Sequence, residues 1–252
     1  MSRSFTYSAI TLRVRQSGES NREAWFLTAE EGVLRATVFG GPKSRLRARV
    51  APFHEGELWI YHNPVRDSRK VTDFDVRSYR PGIRELYERA MTADALAETI
   101  LASHGGGGGW AEAAKLTSGV LDALDEADAA LCCRLGIYFL WQWADILGVR
   151  PDLSVCGLCA SNIQREQVLL FSAASEALFC ENCARREVFS PASPLIRLGG
   201  GARLWLGGIE NLPAAVIARV TLDNTSLEQA KAFSKALLAR TLEKWLATWD
   251  GI

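Results

Sequence analysis

No run of about 18 apolar residues occurs anywhere in this chain, so the length of apolar helix needed to cross a bilayer is missing. The first residues, MSRSFTYSAITLRVRQ, carry arginines where a secretory leader would be apolar, and a cytosolic protein is expected. Histidine is scarce: His54, His62 and His104 are the full set, and their spacing pairs none of them for metal binding or catalysis. His104, beside a glycine run, reads as exposed and inert. Gly-x-Ser-x-Gly, phosphate-loop and dinucleotide motifs are all absent. The five glycines at 105–109 lead to no Lys-Ser/Thr and read as a flexible loop. Glu55 and Glu57 flank Gly56 and read as a strand edge. No group meets the requirements of an active site, and the chain is read as non-enzymatic. Net charge is also lacking, with 29 Lys/Arg against 29 Asp/Glu.

What is present is ample core material. Of 252 residues 48% are hydrophobic and 23% charged, which suits one large domain or two small ones and excludes a disordered chain. The zero net charge hides an asymmetry. Residues 1–80 hold 14 Lys/Arg against 9 Asp/Glu, residues 81–149 hold 4 against 10, and residues 150–252 hold 11 against 10. A basic front end on a neutral chain points to a localised anionic partner.

The period of the apolar residues divides the chain. Strands are predicted over 9–14, 24–28, 33–39, 58–61 and 71–76, separated by Gly and polar clusters. Five short strands in about eighty residues fit a small closed barrel of OB type. After Pro81-Gly82 the period becomes helical. Helices are predicted over 83–103, 110–125 and 129–147, the third apolar almost all round and hence central to a bundle. Gly199–Gly201 and Gly207-Gly208 punctuate short apolar pieces. A last helix is predicted from Thr225, with Thr225-x-x-Glu228 as a capping box, to about Trp249. The fold class is α+β: an OB-type barrel over 1–80, a helical domain over 81–252, and an insert at 154–190 within it.

That insert carries Cys156-Gly-Leu-Cys159 and Cys180-Glu-Asn-Cys183, two matched pairs separated by twenty residues. This is the spacing of a four-cysteine zinc ribbon, because two residues between thiolates let one knuckle turn present both sulfurs to a tetrahedral ion. A structural Zn2+ is therefore expected on Cys156, Cys159, Cys180 and Cys183, with 168–171 and 178–179 as a hairpin leading to the second knuckle. Two redox CxxC motifs are the weaker reading, since no βαβ unit surrounds them. Catalytic zinc is weaker still: four thiolates leave no open position, and the His-x-Glu of the zinc deaminases is missing. Cys132 and Cys133 lie on the most apolar helix and read as core thiols.

The second feature is Gly40-Gly41-Pro42-Lys43-Ser44-Arg45-Leu46-Arg47-Ala48-Arg49, with Arg35 on the preceding strand. Arg45, Arg47 and Arg49 have period two, so an extended segment would present them as a comb about 7 Å apart, near the phosphate spacing of an extended single strand. A solvated surface loop is the alternative. On an OB-type barrel the nucleic-acid reading gains weight, because such barrels pair a cationic groove with aromatic platforms for bases. Trp25, Phe39, Phe53, Trp59, Tyr61, Phe74 and Tyr79 are available, although most must fill the barrel.

A basic barrel followed by helices interrupted by a four-cysteine ribbon resembles the RecO family of bacterial recombination mediators. The likeness spans residues 7–198. It rests on Ser17-Gly18-Glu19-Ser20-Asn21-Arg22, on Gly41-Pro42-Lys43-Ser44-Arg45-Leu46-Arg47 with Pro52-Phe53, on Pro81-Gly82-Ile83-Arg84 with Leu86-Tyr87-Glu88-Arg89-Ala90, and on the lead-in Leu147-Gly148-Val149-Arg150-Pro151-Asp152-Leu153. The C-terminal Glu243-Lys244-Trp245-Leu246-Ala247-Thr248-Trp249-Asp250 departs from the basic ending common in relatives. The resemblance implies a cytoplasmic, nucleoid-associated factor that binds single- and double-stranded DNA and anneals complementary strands. It further implies contact with the acidic C-terminal tail of the single-strand-binding protein, through the helical domain, and joint action with RecR in loading a recombinase. By motif, Arg35, Lys43, Arg45, Arg47 and Arg49 would hold phosphates. The rival reading is a zinc-ribbon protein-interaction adaptor that does not bind DNA; a DNA-processing enzyme is a third.

Overall fold

Strict alternation builds the front of the molecule. In β3 (Gly32–Val38), Gly32, Leu34, Ala36 and Val38 point inward while Arg35 is exposed, the period-two signature of a strand with one buried face. The computed structural model describes residues 3–41, 44–186 and 195–252. β1 (Ser4–Ser17), β2 (Asn21–Thr28), β3, β4 (Glu55–Asn63) and β5 (Ser68–Ser78) close into a barrel of order β1-β2-β3-β5-β4. All pairings are antiparallel except β3 with β5, which meet in parallel at Thr37 and Lys70. Phe26 and Phe74 meet edge to face at 6.0 Å inside. A closed five-stranded barrel with a helix between its third and fourth strands is an OB-type fold.

That helix corrects an expectation. Residues Arg45–Arg49 are not extended but form one turn and a half of α-helix, α1. Leu46 and Val50 sit four residues apart and both pack on the barrel core, with Val50 fully buried. An extended segment would also turn Leu46 and Val50 to one face, but about 13 Å apart, whereas one helical turn brings them within about 6 Å along its axis and seats both on the same barrel core, so burial overrides the alternating charge pattern. The comb of arginines is consequently lost: Arg45 and Arg49 share a side of the turn and Arg47 faces away.

The rest is helical apart from one small sheet. A 3₁₀ turn (Pro81–Arg84) precedes α2 (Tyr87–Ala102), so the helix begins four residues later than the apolar spacing suggests. α3 (Trp110–Asp125) and α4 (Ala129–Ile146) follow, α4 capped by the Asp128 carboxylate accepting from the Leu131 amide at 2.7 Å. Residues 135–141 of α4 are all buried, as expected of a central helix. β6 (Leu169–Ser172), β7 (Ala177–Cys180) and β8 (Ile196–Leu198) form a small sheet of order β7-β6-β8, with the short α5 (Glu181–Ala184) after β7. The glycines read as punctuation instead bound a helix, α6 (Gly200–Gly208). α7 (Asn224–Thr241) is capped by Asp223, not Thr225: the Asp223 carboxylate accepts from the Ser226 amide at 2.9 Å. α7 ends at Thr241, and a separate 3₁₀ turn (Ala247–Gly251) brings Trp249 into the core.

Barrel and helices share a seam. Ile10, Leu12, Leu27 and Phe53 of the barrel belong to the same apolar cluster as α2, α3 and α4. At its edge Arg80, with its side chain 2% exposed, binds Glu55 through Nη2, Asp122 at 2.7 Å through Nε and the Phe53 carbonyl at 3.0 Å through Nη1. Ser118 on α3 donates to the same Glu55 carboxylate at 2.6 Å. Glu55 is therefore no edge residue, since β4 is paired on both sides. The glycine run is likewise built in: Gly105 and Gly106 are buried, and a Cβ on Gly106 would stand 2.7 Å from Ile146 Cγ2. Gly32 (φ +71°) makes room for the Trp110 indole, which a Cβ would meet at 2.8 Å.

Candidate nucleic-acid interface and metal centre

The two cysteine pairs converge. Cys156 and Cys159 lie on a turn in which the Ala160 amide donates to the Cys156 carbonyl at 2.9 Å, and the Gly157 amide donates to the Leu178 carbonyl of β7 at 2.8 Å. Gly157 has no side chain to block that approach. Cys180 ends β7 and Cys183 lies in α5. The β6–β7 hairpin thus carries the second pair back to the first. All four Sγ atoms lie within 4.8 Å of one another, Cys159 and Cys180 being 4.0 Å apart. Tetrahedral Zn–S bonds of about 2.3 Å require sulfurs roughly 3.8 Å apart, so the cluster fits a four-thiolate ion. The Cys180 amide, 3.3 Å from Cys156 Sγ, and the Ser161 hydroxyl, 3.1 Å from Cys159 Sγ, are suited to thiolates. Ser161 holds the Cys159 thiol down at about 6. The neighbouring sulfurs push Cys183 up to about 12, a crowding that a divalent cation would relieve. Cys156, Cys159, Cys180 and Cys183 could therefore hold a metal; Cys132 is buried in α4, where desolvation raises its thiol to about 11.

The barrel's outer face carries the cations. Trp25 on β2 is opposite Arg35 on β3 and diagonal to Arg15 on β1, and both guanidinium carbons stand over its ring, at 5.7 Å and 5.8 Å from the centroid. Such contacts contribute about 0.5–1 kcal/mol at exposed sites; among the described residues Arg15 makes no ion pair, whereas Arg35 is also bound by Glu23. Lys70 on β5 lies 5.4 Å over Phe39, itself 47% exposed. A cleft of about 330 Å³ between β3 and the start of β5 is lined by Arg35 and Arg69, the acids Glu23 and Asp67, and Thr37 and Ser68.

The four arginines and one lysine expected to hold phosphates are placed unequally. Arg45 is exposed on α1. Arg47, on the same turn, receives Arg22 Nη1 on its carbonyl at 3.5 Å, which brings two guanidinium groups together. Arg49 is tied to Asp73 at 3.0 Å, an exposed pair, and Arg35 to the half-buried Glu23. Lys43 lies outside the described residues. Among the aromatics, Phe53 and Phe74 are buried, Trp25, Trp59 and Tyr61 are half-buried, and Phe39 and Tyr79 are exposed. Arg15, Arg22, Arg69 and Lys70 were not legible as part of a surface. Once strands are paired, however, the odd positions 13 and 15 of β1 and 35 of β3 fall on the same face as Trp25.

An OB-type barrel joined to a helical domain that carries a four-thiol cluster defines a distinct class of two-part protein. The family model described as Recombination protein O N terminal matches residues 1–79, and that described as Recombination protein O C terminal matches residues 84–250. The chain belongs to the RecO family of DNA repair proteins. A relative named DNA repair protein RecO from Desulfitobacterium hafniense (strain DSM 10664 / DCB-2) is 28% identical over 249 residues, 96% of this chain and 86% of its own length. A protein of the same name from Pelotomaculum thermopropionicum is 26% identical over 243 residues, 96% of this chain and 90% of its own. Another, from Acaryochloris marina, is 31% identical over 103 residues, 40% of this chain and 34% of its own.

Proposed function

We propose that this chain is a non-enzymatic, DNA-binding and strand-annealing mediator of recombinational repair. It acts in the bacterial cytoplasm at the nucleoid, with RecR and the acidic tail of the single-strand-binding protein, to load the recombinase onto single-stranded DNA. The barrel over residues 1–80 holds the DNA, the helical domain over 81–252 meets protein partners, and the ribbon at 154–190 is braced by zinc. The observation that carries this reading is the outer face of the barrel, where Trp25 is flanked by Arg15 and Arg35 and Phe39 by Lys70. Alternating cations and aromatic rings on an OB-type barrel suit a single strand, whose phosphates take the charges while its bases stack. Arg35, Lys43, Arg45, Arg47 and Arg49 hold phosphates of single- or double-stranded DNA. Screening two backbones at once lowers the repulsion that keeps complementary strands apart. Zinc when bound supplies rigidity, and its four thiolates leave no position for a substrate.

The test is replacement of Lys43, Arg45, Arg47 and Arg49 by alanine. Leu46 and Val50 remain to seat α1, and the only described ion pair lost is the exposed one to Asp73, a change of no more than about 1 kcal/mol in stability. Annealing of complementary oligonucleotides and single-strand affinity should fall while the melting curve holds. Unchanged annealing by the folded variant refutes the assignment.

A further inference from the structure

The acidic stretch 81–149 has its own surface, independent of the DNA-binding reading. Two adjoining cavities of about 510 and 500 Å³ flank α3, with Gly119, Pro213 and Ala214 lining both, and together they outline a groove between α3 and the 3₁₀ turn Ala214–Arg219. Its floor is apolar: Leu116 and Ile146 at one end, Ala123 and Leu131 at the other. Of the lining acids, Asp122 is held by Arg80 and Asp145 by Arg150. Among the described residues Glu112, Glu126 and Glu210 make no ion pair, and Lys115 is the groove's one lining cation. The rim is therefore net negative.

Gly119 marks the middle. It lies in the interior of a sixteen-residue helix, where glycine is the poorest former after proline, yet a Cβ built on it would meet nothing within 4 Å. No contact within the chain calls for a missing side chain there. Its absence leaves the groove open at its middle.

We infer that this groove docks a basic amphipathic segment of a partner protein, its apolar side chains on the floor across Gly119 and its lysines or arginines against Glu112, Glu126 and Glu210. Charge complementarity selects this occupant: a polynucleotide or an acidic tail would meet a rim of its own sign. If the single-strand-binding protein's tail binds the helical domain, it binds elsewhere on it.

The probe is a synthetic Lys/Leu amphipathic peptide of about 14 residues, roughly four helical turns, titrated by fluorescence anisotropy into the full chain. It should bind, and Gly119→Leu should weaken binding at least about tenfold by filling the groove, an effect of about 1.4 kcal/mol. That variant should melt no lower than its parent, since its new side chain enters open space on a helix. Glu112→Gln with Glu126→Gln and Glu210→Gln should weaken binding comparably. Peptides with serine for leucine, or glutamate for lysine, should bind far more weakly. Failure of the Lys/Leu peptide to bind, equal binding of the serine or glutamate peptide, or indifference to Gly119→Leu each overturns the proposal. So does a dimer in sedimentation that Gly119→Leu dissolves, which would give the groove to a second copy.

Discussion

Arg80→Met removes the link between barrel and helices while keeping most of the side chain's bulk. The guanidinium is 2% exposed and serves two carboxylates of very different exposure, Glu55 at 26% and Asp122 at 59%. The Asp122 pair, open to water, contributes at most about 1 kcal/mol. Glu55 is the larger loss. Breaking a buried pair by deleting one partner costs about 3–5 kcal/mol, because a carboxylate is left uncompensated. Glu55 keeps the Ser118 hydroxyl at 2.6 Å and some water, which places the loss near the lower end, about 3 kcal/mol. For a chain of this size that is a fall in melting temperature of roughly 6–12 °C. Calorimetry of Arg80→Met, Glu55→Gln and the double variant reads both the loss and the coupling. The double variant should lose less than the sum of the two single losses, by about 1–3 kcal/mol. A melting temperature for Arg80→Met within about 2 °C of the parent, or strict additivity, refutes the reasoning.

Other outcomes follow from the same geometry. Purified protein should carry one zinc per chain; strong chelation should unfold the cysteine insert, since binding contributes on the order of 10 kcal/mol to such a site. Metal well below one equivalent, or an insert indifferent to chelation, counts against the four-thiolate assignment. His54 is buried, donates from Nδ1 to the Arg49 carbonyl at 2.7 Å and accepts at Nε2 from Arg84 at 3.3 Å, so it is held neutral. Burial lowers its value below the ordinary 6.5, and Arg84 and Arg80 lower it further, against the pull of the Arg49 carbonyl. The unfolded chain therefore takes up a proton before the folded one does. Stability from this group is complete above pH 6.5 and is lost as pH falls toward the depressed value. His54→Gln should flatten that part of the pH–stability curve; an identical slope in the variant contradicts it.

How much of this was legible beforehand depends on whether a residue's partners are near it in sequence. The β2 and β3 strands, the bounds of α3 and the paired Cys-x-x-Cys knuckles all follow from local periodicity or spacing. α1 does not: Arg45-Leu46-Arg47-Ala48-Arg49 has the alternation of a strand, and only the contact of Leu46 and Val50 with the barrel decides for helix. α6 was hidden by the glycines at both its ends. At α7, Thr225-x-x-Glu228 and Asp223-x-x-Ser226 are rival caps two residues apart, and the carboxylate, the stronger acceptor, takes the amide. Arg80 carries no signal before Pro81, since Glu55 and Asp122 lie 25 and 42 residues away. The family resemblance drew on the order of motifs and so survived the misread conformation of the basic loop. It could not show that Arg35 and Arg49 already have carboxylate partners, Glu23 and Asp73.

The claim on which the rest depends is that the barrel's arginines and lysine grip polynucleotide backbone. Titrating a single-stranded oligonucleotide at several salt concentrations tests it most directly. About five neutralised phosphates give a log–log slope of roughly −3.5, and alanine at Lys43, Arg45, Arg47 and Arg49 should bring it to about −0.7. Affinity that does not change with salt, or a slope the alanine variant leaves intact, contradicts the account.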